Sequence, residues 1–143
     1  MSMLEVIRQA KESGDFGRFL TAIPYFTFLG LAIEETPEGP VCILPADERF
    51  IGNPRLPALH GGVVGALLES AAVVQLVWQS EAVHIPKTIN LSVDYLRSAR
   101  PVRTFARGIV TKHGRRVANV RVEAWQDDPA RPVAAAKAHF LLG

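Results

Sequence analysis

Leu59-His60-Gly61-Gly62-Val63-Val64-Gly65-Ala66-Leu67-Leu68-Glu69-Ser70-Ala71-Ala72-Val73-Val74-Gln75-Leu76-Val77-Trp78 decides how this chain folds. It reads as a helix that is apolar nearly all the way round, and such a helix belongs inside a core rather than on a surface. Gly65, Ala66, Ala71 and Ala72 are small enough to let other backbones come close. One ionisable residue, Glu69, interrupts the run. A carboxylate in the middle of an apolar helix is unfavourable unless something pairs with it, which marks Glu69 as a candidate working residue beside the plainer reading of a locally satisfied core acid. The length is close to the roughly 20 residues that a membrane span needs. Glu69 at the centre, glycines at the start and no second hydrophobic segment favour the core helix.

The start of this helix carries a second feature. His60-Gly61-Gly62 follows the Pro-rich run Gly52-Asn53-Pro54-Arg55-Leu56-Pro57-Ala58. The free N–H groups of a first helical turn carry partial positive charge and can hold an oxyanion, and glycine lets a ligand approach them. At a rise of about 1.5 Å per residue, Glu69 lies roughly 10–12 Å down the axis from Gly61 and Gly62, too far for its side chain to bridge. If amide and carboxylate serve one reaction, they come from two different chains, so the spacing predicts a dimer with shared sites.

The chain has 143 residues, 48% of them hydrophobic and 21% charged, values expected of one globular domain over 1–143, with residues 1–22 as an N-terminal helical extension. The first residues lack the basic region and apolar run of a secretory signal. Cys42 is the one cysteine; with no internal disulfide to form, a reducing cytoplasm is the expected compartment. Net charge is only +2, but Arg97, Arg100, Arg103, Arg107, Lys112, Arg115, Arg116 and Arg121 fall in one stretch without an Asp or Glu. Most of these read as solvated strand faces; the sharper reading is a site for phosphates. Only Phe105 lies within the run, too few aromatics for a single-stranded nucleic-acid platform. A phosphorylated small molecule is the expected partner, with neither nucleic acid nor membrane.

Residues 3–12 read as an amphipathic helix stopped at Ser13-Gly14, and Asp15 as the cap of a helical turn through Phe16–Leu20. Pro24 is expected to open an extended segment from Tyr25 to Ile33, followed by a turn at Thr36–Pro40 and a return strand over Val41–Leu44. Residues 45–59 read as loop. Beyond the helix, Thr88–Tyr95 alternates polar and apolar, with one face expected to be buried. Strands follow at 104–112, 116–125 and 132–141, with a hairpin at His113-Gly114. Ala118, Val120, Val122 and Ala124 form one inward face, and Ala134, Ala136, Ala138 and Phe140 another. The order gives an α+β domain, one helix wrapped by an antiparallel sheet.

Asn53, then Leu59-His60-Gly61-Gly62, Leu67-Leu68-Glu69, Val93-Asp94-Tyr95-Leu96-Arg97 and Gly114-Arg115-Arg116 together resemble the PaaI-like hotdog-fold acyl-CoA thioesterases, over about residues 25–142. The resemblance implies a hotdog fold in which two chains pair into one continuous sheet, often doubled into a homotetramer, with sites at the dimer interface. It implies hydrolysis of a small or medium acyl-CoA, with CoA as part of the substrate and no cofactor. The Gly61 amide would polarise the thioester carbonyl. Glu69 of the other chain would be general base or nucleophile. Asn53 would hold the water or the thioester, His60 would support the loop, and Thr88 would orient the attacking group. Gly62 would contact substrate, and Arg97, Arg115 and Arg116 would lie near the CoA phosphates. The chain departs from the pattern in three ways: Glu69 stands where many members carry Asp, Asn53 is about one residue further from His60, and Val73 replaces a hydroxyl used in a neighbouring branch.

Other chemistries find less support. The four histidines lack metal-ligand spacing, and Ser70 has no elbow motif or partnered histidine. A hotdog dehydratase or hydratase would need a reactive histidine, for which His60 is the candidate. A non-catalytic acyl-CoA-binding protein would bind without turnover. Phe26, Phe28, Val64, Leu67 and Trp78 are the candidates to shape the acyl pocket.

Overall fold

The computed structural model describes residues 2–80 and 84–143. Its centre is helix α4, Gly61–Gln79, whose Val64, Leu67, Leu68 and every residue from Ser70 to Val77 are buried. By length and composition α4 is apolar enough to cross a membrane; its apolar surface is instead taken up by the sheet packed round it. That sheet has six strands: β1 (Ala32–Thr36), β2 (Gly39–Leu44), β5 (Lys87–Tyr95), β6 (Thr104–His113), β7 (Val117–Trp125) and β8 (Ala134–Leu141). They lie in the order β1-β2-β6-β7-β8-β5, all neighbours antiparallel. α4 rests mainly on β6, β2 and β7.

Close seating of helix on sheet follows from small side chains. A Cβ at Gly108 of β6 would stand 3.3 Å from the Ala71 carbonyl oxygen and 3.2 Å from Gln75 Cβ, so glycine sets how near α4 can come. Ala118, Val120, Val122 and Ala124 of β7 and Ala134, Ala136, Ala138 and Phe140 of β8 are all buried, as their alternation predicts. This is the wrapped-helix arrangement expected from the hotdog resemblance.

The N-terminal region is more helical than its sequence reads. α1 spans Met3–Ser13 and begins with a capping box between Ser2 and Glu5. α2 is Gly17–Ala22, one residue later than expected, and Asp15 accepts a hydrogen bond from Gly17 N–H. The expected extension from Tyr25 to Ile33 is wrong in its first half, where Pro24–Leu29 forms α3. Pro24 sits at a helix start, where its missing N–H removes no bond, and Gly30 closes the turn at φ 69°. Phe26 and Leu29, three apart, point to the core together. The expected loop 45–59 contains a 3₁₀ turn, Glu48–Phe50, and a two-stranded ribbon of β3 (Ile51–Asn53) and β4 (Ala58–Leu59).

β5 differs from expectation in burial. It is an edge strand, paired only with β8, and neither face is fully covered. Ile89 and Tyr95 are more than half exposed. The register shifts between Thr88 and Asn90, a bulge of the kind that re-aims neighbouring side chains.

Cys42, on β2, is buried, and burial pushes its thiol from an ordinary 9.0 up to about 12. Between those values the folded protein holds a proton that the unfolded chain releases, so this group's contribution to stability is present below pH 9 and is lost as pH rises toward 12. We expect alkaline destabilisation by up to about 1.4 kcal/mol per pH unit from this residue alone. Urea unfolding of the parent and of Cys42→Ala across that range checks it; identical pH slopes would refute it.

Candidate active site

The start of α4 is held by the ribbon beneath it. His60 N–H donates to the Phe50 carbonyl at 2.8 Å, and Leu59 N–H to the Ala99 carbonyl at 2.9 Å. β3 passes so close that a Cβ on Gly52 would stand 2.7 Å from His60 Cα; only glycine fits there. His60 is the N-cap of α4, in extended geometry, and its Nδ1 accepts from Gly62 N–H at 2.8 Å. An accepting Nδ1 is unprotonated, so the neutral ring carries its hydrogen on Nε2. The N–H groups of Val63 and Val64 donate to the His60 carbonyl.

Gly61 alone in this turn keeps its N–H without a partner among the described residues, since Gly62, Val63 and Val64 are engaged. Its carbonyl is fixed by the Tyr95 hydroxyl, which donates to it at 2.8 Å. Gly61 lines a cavity of about 360 Å³ whose wall includes Tyr95, Arg97, Ser98 and Val64. A free, oriented donor beside a cavity is what an oxyanion site requires. Arg97 is exposed and holds the Pro132 carbonyl through Nε at 3.1 Å.

Glu69 lies two helical turns further on and is half-buried. Its Oε2 accepts from the Thr88 hydroxyl at 2.9 Å, the partner that makes a carboxylate tenable there. Neighbouring Ser70 is occupied with the Ala66 carbonyl at 2.7 Å. Thr88 is at the start of β5 and Tyr95 at its end, about 24 Å apart at strand rise. The exposed Arg115 and Arg116, in the β6–β7 turn, share the Thr88 end, because Lys87 and Val117 both face Leu141.

One chain therefore holds two separate clusters. His60, Gly61, Tyr95 and Arg97 gather at one end of β5, and Glu69, Thr88, Arg115 and Arg116 at the other. Asn53 pairs with Ala58 beside the Gly61 end, and its Oδ1 accepts from Arg55 N–H at 3.0 Å in a tight turn. Gly62 faces a second cavity, with His60 and Val63. Tyr95 and Gly52 are site-building residues that periodicity alone does not mark. Tyr95 reads as the last apolar residue of its strand, and Gly52 as part of a loop. Among the described residues no group of three or more His, Cys, Asp or Glu is placed to hold a metal.

Loss of the imidazole cap should weaken the helix start. His60→Ala is expected to destabilise the protein by about 0.5–2 kcal/mol, and His60→Asn, itself a good cap, by less. Chemical denaturation of the three proteins checks the order; equal stability of the alanine variant would show that the His60–Gly62 bond contributes nothing.

The profile of the thioesterase superfamily matches residues 56–133, which contain α4 and the strands β5, β6 and β7. A crystal structure from Chromobacterium violaceum is 39% identical, covers 96% of both chains and superposes with a TM-score of 0.78. A phenylacetic acid degradation-related protein from Ralstonia eutropha is 26% identical over 88% of this chain and 98% of its own, with a TM-score of 0.74. The medium/long-chain acyl-CoA thioesterase YigI of Salmonella typhimurium is 29% identical over 87% of this chain and 89% of its own. With more than half its length matched by the family profile, this chain belongs to the thioesterase superfamily and has its hotdog fold.

Proposed function

We propose that the protein is an acyl-CoA thioesterase whose active site is completed by a second copy of itself. The observation that carries this reading is the separation of the two clusters along an unpaired edge strand. β5 is nine residues long, proline-free and partly apolar, which makes it a template for pairing. A two-fold axis through its middle would pair it antiparallel with its own copy and bring the Gly61 end of one chain to the Glu69 end of the other. The minimal active unit in this reading is a homodimer, with a further doubling to a homotetramer.

In such a site the thioester carbonyl accepts from Gly61 N–H, which holds the oxyanion as it develops. Glu69 of the facing chain takes a proton from water, and the water oxygen bonds to the carbonyl carbon. The C–S bond then breaks, and the CoA sulfur leaves with the proton returned by Glu69. Glu69 acting directly as nucleophile would expel the CoA thiolate and form a mixed anhydride, which water hydrolyses to the free acid and Glu69, its released proton going to the thiolate. Thr88 orients the carboxylate in either case. Arg97 from one chain and Arg115 and Arg116 from the other supply cations for the CoA phosphates. Asn53 has a place here only if its turn opens toward the water. The relatives named as acyl-CoA thioesterases support the substrate class.

Three variants test the assignment by thiol release from acyl-CoA. Glu69→Ala should lower kcat by about 10²–10⁴ with the oligomer intact. Gly61→Pro removes the N–H at a first helical position that proline tolerates, but its Cβ would stand 3.3 Å from Tyr95. Gly61→Ala, which adds that Cβ and keeps the N–H, is therefore the control, and the proline variant should lower kcat by about 10²–10³ relative to it. Thr88→Val should lose about tenfold, the scale of one orienting hydrogen bond. Parent-like turnover by Glu69→Ala would end the reading.

A further inference from the structure

The unexpected helix α3 builds a cavity that the thioesterase reading leaves unused. It measures about 400 Å³ and is walled by Tyr25, Phe28, Leu29, Phe50, Val63 and the backbone at Gly62. Tyr25 and Phe28 are 53% and 60% exposed and stack on each other with centroids 5.7 Å apart. Among the aromatic and aliphatic residues expected to shape an acyl pocket, Phe26 and Leu67 are sealed in the core. Trp78 lies far along α4 against Phe16, at 5.0 Å. Phe28 alone opens onto this space.

The cavity adjoins the oxyanion site. His60, Gly62 and Val63 face it, while Leu59, Gly61 and Val64 face the cavity that holds Arg97. The unengaged Gly61 amide thus stands between a basic cavity and an aromatic one. Arg49 at the rim lies 6.0 Å from the Phe28 ring and 5.8 Å from the Phe50 ring. Its charge is already met by Asp47, at 2.8 Å, whose carboxyl is held below its ordinary range by that side-chain hydrogen bond. The cavity therefore offers aromatic surface and no free cation for an anionic chain end.

We infer that the Tyr25–Phe28 cavity receives the uncharged aliphatic acyl chain of the thioester, with the CoA arm leaving Gly61 on the Arg97 side. This deepens the thioesterase reading and rests on it for the identity of the substrate. Volume and lining are those of a small-ligand site. Each buried methylene should tighten binding by about fourfold until the cavity is filled.

The test is binding and turnover of a straight-chain series from acetyl- to palmitoyl-CoA, with non-hydrolysable alkyl thioethers of CoA for the binding arm. The parent should show Kd and KM falling with chain length to a plateau, and should bind hexanoyl-CoA at least tenfold better than its ω-carboxylated analogue adipyl-CoA. Tyr25→Ala and Phe28→Ala should flatten the length dependence, and Phe28→Trp should move the plateau to shorter chains. Unchanged length dependence in all three variants would overturn the inference, as would a change of oligomeric state with the length profile intact, which would make the aromatic pair a subunit contact. Length-dependent thioether binding without turnover would leave the cavity assignment standing and count against the thioesterase reading instead.

Discussion

The structure depends on one constraint: α4 is apolar round its circumference and must be enclosed. The sheet meets that demand with alanines, valines and Gly108, residues small enough for helix and strands to approach closely. Apart from its exposed end at Gln79, enclosure leaves α4 two polar outlets, its first turn and Glu69. The first turn emerges over the ribbon, and Glu69 emerges beside Thr88 at the strand edge. The chemistry of the site is what remains polar after the helix has been buried.

Within the first turn the allocation of hydrogen bonds is selective. Four N–H groups at a helix start lack intrahelical partners. Here the imidazole of His60 takes one and the His60 carbonyl meets those of Val63 and Val64. The amide of Gly61 is left over, with its peptide plane fixed from the carbonyl side by Tyr95. A donor held in place before substrate arrives needs no reorganisation during reaction, which is the condition under which such a group is most effective. Gly52 makes the arrangement sterically feasible by letting β3 run against His60.

Much of this was legible in the sequence. The all-apolar helix, its lone carboxylate and the alternating alanines and valines of β7 and β8 are long-range patterns with one physical solution. The proposal that amide and carboxylate act from different chains starts from the helical rise, which keeps Gly61 and Glu69 of one chain apart. What escaped is local and depends on tertiary context. Pro24 is compatible with an extended start or a helix start, and the burial of Phe26 and Leu29 decided for the helix. β5 alternates as a half-buried strand does, yet it lies at the sheet edge, where Leu91 and Val93 are half-buried while Ile89 and Tyr95 stay exposed. The resemblance gives Asn53 a role in holding water or thioester, and the structure adds that its side chain closes a turn on Arg55, a local bond that residue type alone does not reveal.

The central claim is that Gly61 and Glu69 act in the same site only across two chains. It is tested most directly by mixing subunits carrying Gly61→Pro with subunits carrying Glu69→Ala, after dissociation and reassembly. Each variant alone has no intact site, whereas a mixed dimer regains one of its two. The account predicts recovery of about a quarter of parent activity from an equal mixture. Activity no greater than the sum of the two variants, in a preparation shown to contain mixed dimers, would contradict it.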